Sequence, residues 1–91
     1  MMTVAEWQKV DGEHAAESLR AIAEKLRPGD GELVLDFSAV SKLDAAALLT
    51  LDQLVTKAAE PSVKTVLRAV NIDVYKVLKL AKLAERVSFL N

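Results

Sequence analysis

The chain has 91 residues, of which 52% are hydrophobic and 27% charged, with a formal net charge of −1. That balance excludes wholesale disorder and any global attraction to nucleic acid or anionic membranes. One Trp, one Tyr and two Phe make no stacking platform for single-stranded nucleic acid, and the absence of cysteine removes disulfides and thiolate ligands.

No apolar run reaches the roughly 20 residues of a bilayer span, so no membrane insertion is expected. The opening stretch contains Glu6 and lacks an apolar h-region, so no secretory leader is expected and the expected location is cytoplasmic. Residues 3–10, with Trp7, are expected to form one strand or half of a hairpin. Ala15, Leu19, Ile22, Ala23 and Leu26 then recur at helical spacing. Asp11 or Gly12 is the expected start of this helix, and the Pro28-Gly29-Asp30-Gly31 run is its stop. Residues 33–37 form a short apolar run broken only by Asp36, the pattern of a strand covered on both sides.

After a polar loop, a second helix is expected over 44–60, with Ala47, Leu48, Leu51, Leu54, Val55 and Ala58 inward. Asp44 suits its N-cap, because a carboxylate there accepts from the amide of Ala46 or Ala47 and faces the positive helix end. Ala46, Leu49, Thr50, Gln53 and Lys57 are assigned to its outward face. Pro61-Ser62 breaks the chain before a second inner strand over 63–70. A third helix over 73–84 buries Val74, Val77, Leu78 and Ala81, and carries a basic stripe of Tyr75, Lys76, Lys79, Lys82 and Arg86. Residues 87–90 read as a closing strand. Strands alternating with helices predict one α/β domain over 1–91: a small mixed, mostly parallel sheet with helices packed on it.

Little in the chain points to catalysis. His14, the one histidine, has no nucleophile beside it in sequence and reads as a solvent-facing helix residue. The glycine-bearing loop at 28–32 lacks the Lys-Ser/Thr ending of a phosphate loop and precedes a strand instead of following one. Asp36 and Asp44 bracket one loop. They read either as a helix cap plus a loop-amide acceptor, or as a carboxylate pair for Mg²⁺ in a small metal-dependent α/β enzyme. The capping reading leaves no metal, no cofactor and no enzyme.

Three stretches together resemble the STAS domain family, which includes bacterial anti-sigma factor antagonists and the cytoplasmic tails of sulfate transporters. They are Leu33-Val34-Leu35-Asp36-Phe37-Ser38, then Leu43-Asp44-Ala45-Ala46-Ala47-Leu48, and Val77-Leu78-Lys79-Leu80-Ala81-Lys82-Leu83 before a last strand. In the antagonist branch the turn after the Asp reads Ser-Ser-Gly, and a kinase of the GHKL type phosphorylates the second Ser. The resemblance places Ala45 at the first Ser, Ala46 at the phosphorylated one and Ala47 at the Gly, with Asp36 and Asp44 as the flanking acids. Phosphorylation is therefore lost at Ala46. A phosphate there would bring roughly two negative charges, and an alanine turn never acquires them. The implied role is a non-enzymatic, non-phosphorylatable binding module in bacterial signal transduction. Its expected partner is an anti-sigma factor or a chemotaxis or two-component kinase with the GHKL fold. The expected contact residues are Asp36, Asp44, Ala45, Ala46, Ala47, Leu49, Thr50 and Gln53. The alternative is a cytoplasmic STAS subunit bound to the ATPase of a lipid-transport ABC system. A homodimer is a further expectation; nucleic acid is not an expected partner.

Overall fold

The computed structural model describes residues 7–25, 31–59 and 63–90. Within them the order is β1 (Trp7–Lys9), α1 (Ala15–Glu24), β2 (Glu32–Asp36), α2 (Ala45–Ala59), β3 (Lys64–Arg68), α3 (Ile72–Leu80) and β4 (Ser88–Leu90). The sheet order is β1-β2-β3-β4 and every neighbouring pair is parallel, in keeping with the expected small, mostly parallel α/β sheet, with no antiparallel strand among the described residues. Strands that follow one another in space as in sequence, joined by right-handed crossovers, place all their helices on one face. The core accords with this. Leu33, Leu35 and Leu67 of the sheet pack with Leu19 and Ile22 of α1, Leu51 and Leu54 of α2, and Val74 and Leu78 of α3.

The register sends Trp7, Val34 and Val66 to the opposite face. Among the described residues no helix covers that face, although the isolated strand pattern had suggested cover on both. Val34 and Val66 are nonetheless buried. Around them the register sets Glu32 beside Lys64 and Asp36 beside Arg68. The Arg68 guanidinium also lies 3.9 Å from the centre of the Trp7 ring.

Several boundaries moved for local reasons. Trp7–Lys9 forms one strand parallel to β2, while residues 3–6 of that expectation lie outside the described ones. The first helix starts at Ala15, later than Asp11 or Gly12. Gly12 passes so close to the Ala39 carbonyl that any Cβ would collide with it. Asp11 uses its carboxylate to accept from the Glu13 amide at 2.9 Å, which turns the chain before the helix begins. His14 therefore precedes the first turn rather than lying within the helix, exposed and 3.5 Å from Asp11. Leu26 and residues 28–30 fall outside the described residues.

The third helix shifts in the same way. Its cap is Asn71, whose Oδ1 accepts from the Val74 amide at 2.7 Å, so it begins at Ile72 and not at Asp73. It stops at Leu80, four residues before the expected end. There the Lys82 amide donates to Lys79 and the Leu83 amide to Leu78, with Lys82 in the left-handed region at φ 61°. This is the Schellman arrangement, which normally has glycine at that position. As a result Ala81 is exposed, Val77 is half-buried, and Leu83 becomes the buried residue beyond the helix. A side chain at positive φ strains this backbone. Lys82→Gly is therefore expected to stabilise the fold by about 1 kcal/mol, read as a raised urea midpoint with an unchanged m-value.

Candidate functional site

The strand-to-helix connection after β2 is anchored at each step. Phe37 is buried and its amide donates to the Arg68 carbonyl at 2.8 Å. The Val40 amide closes a turn onto the Phe37 carbonyl at 2.9 Å, and Val40 and Leu43 are both buried. The Asn71 side-chain amide donates to the carbonyls of Val40 at 3.2 Å and Ser41 at 3.3 Å. One residue thus caps α3 and clasps the loop that leads into α2. Sequence reasoning missed it. The available signal was Asn standing three residues before the inward-facing Val74.

Asp44 caps α2 as expected, its Oδ1 accepting from the Ala47 amide at 2.8 Å. Ala45 and Ala46 are exposed at this start, and Leu49, one turn on, is 58% exposed. Gln53 continues the exposed face. Ala47 is buried, and Leu48, expected inward, is only half-buried. Thr50 does not belong to the outward face. It is 6% exposed and its hydroxyl donates to the Ala46 carbonyl at 2.8 Å, which satisfies the group and lets it sit against the core. Lys57 is exposed and reaches across to donate to the Ala23 carbonyl of α1 at 2.8 Å.

Beside the helix start, Ala45, Leu48, Leu49 and Asp52 face Ala81 and Leu83 across a shallow groove of about 270 Å³. Arg86 closes one end of this region, paired with Asp52 and donating to the Thr56 hydroxyl at 2.8 Å. Arg86 therefore leaves the basic stripe. Lys82 lies beyond the helix, so only Tyr75, Lys76 and Lys79 of that stripe are on α3.

Asp36 is placed differently from Asp44. Its Oδ1 accepts from the Ser38 amide at 2.9 Å and meets Arg68 at 3.4 Å, with its side chain 13% exposed. The two acids thus hold separate partners. Among the described residues no third His, Asp or Glu joins them in a group able to hold a metal ion. The Ser38 amide, with smaller contributions from Arg68 and Lys9, holds the Asp36 carboxyl below its ordinary value against the opposing effect of burial.

Both acids can be tested through stability. Asp44→Ala removes a cap from an alanine-rich turn and is expected to cost about 1 kcal/mol in urea unfolding. Asp36 has a lowered folded-state pKa, so its contribution is complete above the unfolded carboxylate value and fades as pH falls through the folded one. Thermal melts between about pH 5 and pH 2 should therefore show the unsubstituted chain losing more of its midpoint on acidification than Asp36→Asn does.

A family model for the STAS domain matches residues 7–91. No curated protein sequence matches the chain at a significant level. Among solved structures, the crystal structure of a candidate anti-sigma factor antagonist, TM1081 from Thermotoga maritima, superimposes with a TM-score of 0.71 at 19% identity, over 92% of this chain and 74% of that one. The NMR structure of TM1081 superimposes with a TM-score of 0.78 at 18% identity, over 98% of this chain and 78% of that one. At these identities the likeness establishes the shared fold.

Proposed function

The chain belongs to the STAS domain family, and we propose that it is a non-enzymatic binding module that docks a GHKL-fold kinase or anti-sigma factor through the start of α2. The observation that carries this reading is the exposed Leu49 beside two exposed alanines on a helix start braced by Asp44 and Asn71. Small residues allow a partner backbone to approach closely, and Leu49 offers apolar area to bury. Ala45, Ala46, Leu49 and Gln53 form the exposed part of the surface. Asp44, itself exposed, caps the helix there, Ala47 and Thr50 support the surface from beneath, and Asp36 holds the loop before it.

Docking at this turn is constitutive in the proposal. A hydroxyl at position 46 would be a phosphate acceptor on the first helical turn; the methyl of Ala46 is not. The likeness to an anti-sigma factor antagonist, together with this unmodifiable turn, favours a module whose binding is set by its amount or by its partner's state.

Burying Leu49 is worth roughly 1.5–3 kcal/mol. Leu49→Lys is therefore expected to weaken binding of a GHKL-fold kinase or anti-sigma factor recovered with the chain from its native host by at least about tenfold in calorimetry, since about 1.4 kcal/mol corresponds to that factor. The circular dichroism spectrum should stay unchanged, because Leu49 lies outside the buried core. Unaltered affinity in a folded Leu49→Lys variant would remove this surface from consideration.

A further inference from the structure

A second apolar surface lies at the carboxyl ends of β3 and β4, on the same pole of the sheet as the α2 start. Leu67, Val70, Ile72, Tyr75, Phe89 and Leu90 line an open groove of about 480 Å³ there. Ile72 is 68% exposed, Tyr75 40%, Phe89 38% and Leu90 45%. Single exposed apolar residues are ordinary, whereas a contiguous group around a concavity marks a binding surface. The wall is ordered: the Tyr75 and Phe89 rings, from different elements, meet edge to face at 5.3 Å.

Two further observations define the occupant. First, β4 ends the sheet order, so among the described residues one side of its backbone has no strand partner. Its residues Ser88, Phe89 and Leu90 carry none of the charges that usually guard such an edge. Second, the groove's helical side is basic. Lys76 lies one turn from Ile72 and Lys79 one turn from Tyr75, so each lysine shares a stripe with a groove residue. Both lysines are exposed, and neither takes part in an ion pair among the described residues.

We infer that this groove receives an extended acidic segment of a partner protein. The segment adds its backbone to the free side of β4, seats apolar side chains between Ile72, Tyr75 and Phe89, and sets carboxylates against Lys76 and Lys79. A second copy joined about a two-fold axis would bring the same lysines towards one another, which charge disfavours. A bilayer would leave the strand edge unused. The inference is independent of the docking surface on α2.

The test is a phage-displayed library of random dodecapeptides selected on the whole chain and counter-selected on Ile72→Glu, a variant altered at a surface position. Enriched peptides should carry net negative charge and alternating apolar residues. A synthetic copy of the leading sequence should shift the amide resonances of Ile72, Tyr75, Phe89 and Leu90. Its affinity should fall at least about tenfold on Lys76→Glu with Lys79→Glu and stay unchanged on Leu49→Lys. The inference is overturned by enriched peptides that are neutral or basic, or by an absence of enrichment over Ile72→Glu. It is equally overturned by a sedimenting dimer that Ile72→Glu dissolves, or by binding to phosphatidylserine vesicles that the peptide does not displace.

Discussion

The described sheet advances in a single direction, from β1 through β4, by three crossovers that each carry a helix. Because such crossovers have one hand, α1, α2 and α3 are confined to one face, and the starts of α2 and α3 are brought to the pole where the strands end. Ligand and partner surfaces of open parallel sheets collect at that pole for the same reason. Here it holds the alanine turn of α2 and the apolar groove beside α3. Each is made from the first turn or turns of a helix backed by buried strand residues.

The opposite face obeys a different constraint. A parallel strand exposes too much apolar area to be left bare, yet among the described residues no helix reaches Val34 and Val66. Their burial goes with long or flat neighbours: Trp7 in register with Val34, Arg68 over that ring, and Asp36 paired with the guanidinium at 3.4 Å. Arg68 also gives its carbonyl to Phe37, at the start of the loop that leads to α2. The face without helices therefore shares one residue with the loop that leads to the alanine turn of α2.

Much of this was legible in the residues. The inward phase of α2 was readable at Ala47, Leu51, Leu54, Val55 and Ala58, and so was the Asp44 cap, because both depend on spacing within one element. Thr50 was misread from residue type. Its spacing from Ala47 and Leu54 puts it on the buried face, and an intrahelical bond satisfies its hydroxyl. The stop of α3 was not legible, because the left-handed position that ends it is occupied by Lys82 where a glycine would have announced it. The late start of α1 depends on Gly12 meeting Ala39, a contact between segments far apart in the chain that no local pattern encodes. The alanine turn was found through its likeness to a family motif. The groove beside α3 was not, since Phe89 and Leu90 come together with Ile72 and Tyr75 only once β4 has joined the sheet.

Asn71 has a consequence for how the molecule breathes. Its side chain accepts from an amide of α3 and donates to two carbonyls about thirty residues earlier, at Val40 and Ser41. The loop before α2 thus helps hold the side chain that caps α3, and the capped α3 holds the side chain that clasps the loop. In amide exchange, Asn71→Ala is expected to lower protection in both segments despite their separation in the chain. One side chain thus ties together two segments that the chain itself keeps apart.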